Sequence, residues 1–396
     1  MSHVTITTQE QLERYCDEIA GCETVALDTE FVSERTYRPL LCLIQVASPG
    51  QLALIDALTV RDLRPFWRAM AQPGHETIVH AGRGEVEFCL EAVGCAPAGL
   101  FDVQIAAGLV GLEYPSGYGT LLAKLLGQSP KKHETRTDWR HRPLSNRQIE
   151  YALDDIRYLP LMRDALHRRL AAMGRLEWLA DEMALWQEEI QRSLGQERWR
   201  RVSGNSGLDR RSLAVVRELW RWRDAEAARR DCPARRVLRD DLVIELARRQ
   251  SADPKRIAAV RGLERPDLRR HLPHIAQAIQ RALQLPEEEC PSAGRNENKP
   301  QLSVLGQFLF SALGSLCREM GIAPGLVGSP SDVRDWIACR GGQAPDARPP
   351  LLARGWRAQV IGRLFDDLLA GRLAVRIGDP TRECPLLFEP SAPKPD

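Results

Sequence analysis

Asp28 and Glu30 stand two apart in "ALDTEF" (residues 26–31), an apolar, β-prone run, and on a strand that spacing puts both carboxylates on one face. Acidic residues are poor strand formers, so this pair asks for a reason beyond local structure. A second stretch, "YALDDIRYL" (151–159), sets Tyr151 and Asp155 four apart in a helical pattern, hence on one face of a helix. A strand and a helix meeting through these faces would converge three carboxylates and one phenol. Carboxylate oxygens are the ligands that hard divalent ions such as Mg²⁺ select. A cluster of that kind suits two-metal cleavage of a phosphodiester.

The elements that must position these groups are legible in the first 170 or so residues. "TVALDTEF", "LCLIQVAS", "QLALIDA", "ETIVHA" and "GLFDV" read as strands rich in branched and aromatic residues. The first three follow closely, with Pro49-Gly50 as a turn, which predicts an antiparallel meander. The later strands are separated by helical stretches near residues 61–71 and 84–93, which predicts parallel crossovers. A mixed sheet covered by helices follows. Its closing helix is expected over residues 145–172, with Ser145 as cap and Gln148 completing a capping box.

Beyond the sheet, residues 176–196 read as a helix and "SGNSG" (203–207) as a linker. Residues 208–285 are nearly all helical, with breaks at Cys232-Pro233, Asp253-Pro254 and Arg265-Pro266, as in a compact bundle. A polar, proline-bearing linker then leads into a further helical stretch from residue 301 to about 375, and the tail after Asp379 is expected to fray.

The formal net charge of +2 hides an asymmetry. Residues 205–282 hold 19 Lys and Arg against 11 Asp and Glu, a balance of +8 that leaves −6 for the remainder. A phosphate-rich partner suits the basic segment. No apolar stretch is long enough to span a bilayer, the start lacks a charged-then-hydrophobic leader, and the ten cysteines form no Cys-x-x-Cys pair. A reduced, cytoplasmic, monomeric protein with no membrane association is expected.

Three blocks then carry a resemblance. They are "ALDTEF", "IVHAGRGEVEFCLEAVG" (78–94) and "KHETRTDWRHRPLSNRQIEYALDDIRYLPLM" (132–162). Asp-Trp, Arg-Pro-Leu and Tyr-x-x-x-Asp recur together in this way in the ribonuclease D family of the DEDD exonucleases, and the tyrosine points to the DEDDy subgroup. The resemblance implies a ribonuclease H-like (DnaQ-like) α/β exonuclease domain with a mixed sheet, over residues 1–200. It implies two divalent ions, Mg²⁺ or Mn²⁺. Asp28 would bridge both, Glu30 and Asp155 would complete the shell of the first, and Tyr151 would orient the attacking water. One position departs from the pattern: Glu85 stands where the family has an aspartate that serves mainly the second metal. Glutamate keeps the charge but reaches one methylene further, so Glu85 is expected to bind with a small shift. Glu87 lies off-register. Asp102 matches a family motif as structural or substrate-side support. Gln45 and His80 either line the cleft or are satisfied inside the fold.

Lys132, Arg136, Trp139 and Arg142 form a basic, aromatic lead-in to the closing helix, suited to phosphates and base stacking on a single-stranded 3′ end. For Trp139 and Arg142 the competing role is structural: packing beneath the loop and capping it. "ARRVLRDDLVIELARRQSADPKRIAAVRGLER" (234–265) is similar to the helicase-and-RNase-D C-terminal (HRDC) domain. An HRDC domain is therefore expected over 207–286, with Arg235 and Arg236 among its phosphate contacts, a linker over 287–300, a second HRDC-like bundle over 301–380 and a tail over 381–396. The activity implied is 3′–5′ trimming of RNA ends, tRNA precursors above all, with release of 5′-monophosphates. Two alternatives stay open at this point: a DNA 3′–5′ exonuclease, because two-metal chemistry does not choose the sugar, and a non-catalytic RNA-binding protein whose metal site is weakened at Glu85.

Overall fold

A computed structural model describes residues 3–129, 137–292, 303–341 and 348–391. The chain forms two compact units: Met1–Glu30, Cys42–Leu194 and Leu302–Asp396 in one, Phe31–Leu41 and Gly195–Gln301 in the other.

The first unit begins β1 (His3–Ile6), α1 (Gln9–Ile19), β2 (Thr24–Val32), β3 (Leu40–Ser48), β4 (Gln51–Asp56), α2 (Arg64–Ala71), β5 (Glu76–Val79), α3 (Arg83–Val93) and β6 (Leu100–Asp102). It continues with α4 (Val103–Leu109), α5 (Tyr118–Leu126), α6 (Asn146–Arg157), α7 (Leu159–Ala172) and α8 (Leu176–Leu194). The strands form one mixed sheet in the order β1-β4-β3-β2-β5-β6. β3 and β4 pair antiparallel, whereas β1–β4, β2–β5 and β5–β6 are parallel. The expected strands and crossover helices are present. The register positions the acids: Ala26 lies opposite Ile78, so Asp28 and Glu30 extend past the end of β5, where the chain turns into α3. Val25, Leu27, Ile44, Val46, Leu54 and Ile78 bury the sheet beneath its helices.

Two features of this unit differ from the sequence reading. β1 and α1 precede the first expected strand, and α1 opens on a capping box of Thr8 and Gln11. The closing helix is two helices. Ser145 and Gln148 form the expected capping box, but α6 ends at Arg157 and α7 starts at Leu159. Pro160 has no N–H to give the Ile156 carbonyl, and its ring crowds the preceding turn, so the helix breaks there.

The second unit holds α9 (Arg210–Arg229), α10 (Ala234–Val237), α11 (Asp240–Arg249), α12 (Pro254–Ala258), α13 (Pro266–Arg269) and α14 (Leu272–Gln284). The three expected proline breaks fall between helices, and Asp253 caps α12 with Pro254 behind it. Leu213, Val216, Leu219, Val243, Leu246, Ile257, Ile275 and Ile279 form its core.

The chain returns to the first unit with α15 (Val304–Met320), α16 (Pro324–Val327), α17 (Pro330–Arg340), α18 (Gly355–Arg357), one π-turn (Ala358–Gly362), α19 (Arg363–Leu369), β7 (Leu373–Ile377) and β8 (Leu386–Pro390). β7 and β8 pair antiparallel, so the stretch expected to be helical to about Val375 and frayed after Asp379 ends in a hairpin instead. Residues from Leu302 onward, read from the sequence as a second HRDC-like bundle, share the unit of the sheet. Arg175 donates to the carbonyls of Leu109, Met320 and Gly321. Arg357, 2% exposed, forks onto Glu182 and reaches the Leu326 and Val327 carbonyls. Trp356 stacks on Trp178 at 5.2 Å and donates to Glu182 at 3.1 Å.

Arg357→Ala leaves the Glu182 carboxylate buried without its cation, and denaturant titration is expected to show a loss of about 3–5 kcal/mol. The Glu182→Gln/Arg357→Met pair, which strands no charge, should recover most of that loss.

Candidate active site

β2 and α6 bring the separated acids together. Asp28, Glu30 and Asp155 each offer an oxygen within 4.8 Å of the others. Two unit charges 4 Å apart repel by about 4 kcal/mol at an effective dielectric near 20. The protein therefore holds these carboxyls away from their ordinary ionisation. Burial, then Glu85, Asp155 and Glu30, raise Asp28 well above the carboxylate range. Burial and its neighbours push Glu30 up to about 8, and burial carries Asp155 to about 7. A hard cation resolves this crowding, and three oxygen donors of this type fit a divalent ion.

Tyr151 lies one turn before Asp155 and its hydroxyl shares a hydrogen bond with that carboxylate. Burial and the surrounding acids raise the phenol, so it keeps its proton. Trp139 packs against it, ring centres 6.0 Å apart.

Glu85 reaches the cluster from the first turn of α3, where the helix N-terminus favours an anion. It stands outside the tight triad, and its carboxylate accepts from Thr29 Oγ1 at 2.5 Å. Burial raises it to about 7 against that hydrogen bond. The turn before α3 is fixed by Asp102, which accepts from the Ala81 and Gly82 amides at 3.2 and 3.0 Å while capping α4. Gly82 is required there, because a Cβ would meet Val79 at 2.5 Å. Asp102 is thus a structural support of the turn that delivers Glu85.

The remaining expected residues divide clearly. Trp139 is 5% exposed, so its indole is a packing element and not a platform for a base. Arg142 spends its guanidinium inside the fold, on Asp56 at 2.5 Å and on the carbonyls of Cys42, Trp139 and His141. Both are engaged inside the fold, in the packing and capping roles that the sequence also allowed. Lys132 and Arg136 lie outside the described residues. Arg235 and Arg236 are exposed on α10 in the second unit, Arg235 paired with Asp240 at 3.1 Å. His80 faces the Ser116 carbonyl at 2.9 Å. Gln45 is fully buried, and its register partner Leu54 places it on the sheet face of Asp56. Sequence reasoning passed over Thr29, whose one signal was its place between two acids.

Known proteins resemble this chain over nearly its whole length. A 3′–5′ exonuclease family matches residues 3–171 and an HRDC domain matches residues 212–279. Ribonuclease D of Gluconacetobacter diazotrophicus is 35% identical over 96% of this chain and 95% of its own. Ribonuclease D of Acidiphilium cryptum is 34% identical over 94% of each chain. The crystal structure of Escherichia coli RNase D, an exoribonuclease involved in structured RNA processing, superposes with a TM-score of 0.82 at 29% identity, covering 93% of this chain and 99% of that one. The chain belongs to the ribonuclease D family of 3′–5′ exoribonucleases.

The raised carboxyls make a prediction about stability without metal. A folded-state pKa above the unfolded value means the folded protein holds the proton more tightly, so stability falls as pH rises from about 4, the unfolded value, towards about 8, the value for Glu30. Thermal melts in chelator should show a lower Tm at pH 8 than at pH 5. Asp28→Asn should raise the pH 8 value by roughly 2–4 °C per kcal/mol of relieved repulsion. A flat profile would show that these acids ionise without cost.

Proposed function

We propose that this protein removes nucleotides one at a time from RNA 3′ ends by hydrolysis that depends on two divalent ions, Mg²⁺ or Mn²⁺, and releases 5′-monophosphates. The observation that carries this reading is the meeting of Asp28, Glu30 and Asp155 beside the Tyr151 hydroxyl. Asp28, Glu30 and Asp155 would hold the ions, and Glu85 would serve the second through its approach from α3. Bound there, the ions lower the pKa of water and neutralise the charge that builds on the phosphoryl oxygens.

The side chains divide the remaining tasks. Tyr151 is a poor base because its phenol stays protonated. Its hydroxyl donates to Asp155 and would accept from the attacking water, which would fix that water's direction of approach. Trp139 limits the swing of the ring. Thr29 holds the Glu85 carboxylate in one rotamer through a bond of 2.5 Å.

The physiological substrates proposed are structured RNA precursors with single-stranded 3′ ends, tRNA precursors first, acted on by a monomer in the cytoplasm. Support comes from the similarity to a structured-RNA processing enzyme over nearly the whole chain, and from the basic balance of the HRDC segment. Among the described residues no helix is long and apolar enough to cross a membrane.

Purified protein with a 3′-tailed RNA should yield monophosphates in Mg²⁺ and none in chelator. Asp28→Ala should abolish the activity. Tyr151→Phe should lower kcat by about 10²–10³-fold, the scale of losing one positioned hydrogen-bonding group. Glu85→Asp should stay within about tenfold of the parent, because both side chains offer the same hard oxygen donors. RNA shortened at equal rates by parent and Asp28→Ala would place the chemistry elsewhere. A matched DNA tail degraded as fast as RNA would remove the sugar preference.

A further inference from the structure

Glu30 is followed at once by Phe31–Leu41, a segment that ends β2, opens β3 and groups with the helical unit. Two hydrogen bonds hold it there. The Tyr37 hydroxyl donates to Asp224 Oδ2 at 2.7 Å, and the Tyr37 backbone amide donates to Asp231 Oδ1 at 3.1 Å. Asp224 lies in the last turns of α9 and Asp231 just past its C-cap, Arg230, so the C-terminal part of α9 and the residue after it supply both carboxylates. Asp231 adopts φ +44°, a left-handed conformation that Asp enters at some cost. Burial and the Asp224 carboxylate raise the Tyr37 phenol to about 12, so it remains a donor. A helix end has been shaped to grip one tyrosine from both its backbone and its side chain.

We propose that Tyr37 is a positioning residue. Through Asp224 and Asp231 it ties the chain that leaves Glu30 to α9, so the HRDC-bearing unit restrains the carboxylate strand through covalent continuity. This rests on Glu30 acting in catalysis, as argued above. Charge-assisted hydrogen bonds of this type are shorter and stronger than neutral ones, and Tyr37 makes two. Small misplacements of a reacting group are costly in rate, which makes such an anchor matter to chemistry.

The test uses the full chain with Tyr37→Phe, Asp224→Asn, their double variant and Asp231→Ala. Hydrogen exchange, read without substrate, should quicken in Phe31–Leu41 and reach back to Glu30, with Tm within about 2 °C of the parent. On tailed RNA, kcat should fall about tenfold while KM stays within about twofold. The double variant should be no worse than either single variant of the Tyr37–Asp224 pair, as for two partners of one bond. Exchange unchanged in this segment overturns the anchor. Faster exchange with kcat intact overturns the link to catalysis and leaves a purely structural tether. If the parent protein itself fails to shorten RNA, the exoribonuclease reading falls, and the exchange arm still decides the anchor.

Discussion

Repulsion among like charges is the constraint that shapes this protein. Asp28, Glu30 and Asp155 would separate if their backbones allowed it, and Glu85 adds a fourth acid beside them. The fold denies them that freedom. Asp28 and Glu30 are set by the register of a central strand, and Asp155 by a helix capped at Ser145. Burial first, and for Asp28 and Glu30 the neighbouring acids after it, raises these carboxyls above their ordinary range. A cation of the right hardness relieves this, so the same feature that weakens the metal-free fold gives the site its affinity.

Much of the polar chemistry around the cluster serves position. Arg142 and Asp56 join the loop before α6 to β4, and four of the hydrogen bonds of that guanidinium are internal. Asp102 shapes the turn from which α3 departs, at a place where Ala81 takes φ +53° and Gly82 admits no side chain. The buried Glu182–Arg357 pair fastens the C-terminal helices to α8. Such a pair adds little net stability but penalises every arrangement that parts it, which defines one packing among several apolar ones.

The triad, the strand and the helix that carry it were legible because their spacing is short and periodic. Asp28 and Glu30 needed only the two-residue repeat of a strand, and Tyr151 and Asp155 the four-residue repeat of a helix. Residues whose roles depend on distant partners were harder. Arg142 and Trp139 could be read as RNA contacts or as packing, and it is their partners, Asp56 and Tyr151, distant in sequence, that show the packing. The break at Tyr158 was overrun because the apolar period continues through Pro160. The C-terminal hairpin was lost because its two strands are short and half exposed, with little apolar contrast to mark them.

Glu85 stands in the first turn of α3, where the family resemblance implies a shorter aspartate. One extra methylene gives the carboxylate another torsion and lets it wander, which costs ordering entropy when it must act at one place. A shift of α3 would correct the reach, but its N-terminus is locked by Asp102 and by the tight approach of Gly82 to Val79. The correction falls instead to the side chain. Thr29, between the two strand acids, donates to Glu85 and selects one rotamer. A threonine suits this task because its branched Cβ restricts χ1 and presents the hydroxyl in few directions. The strand thus contributes twice, through Asp28 and Glu30 directly and through the residue between them, whose hydroxyl holds the Glu85 carboxylate.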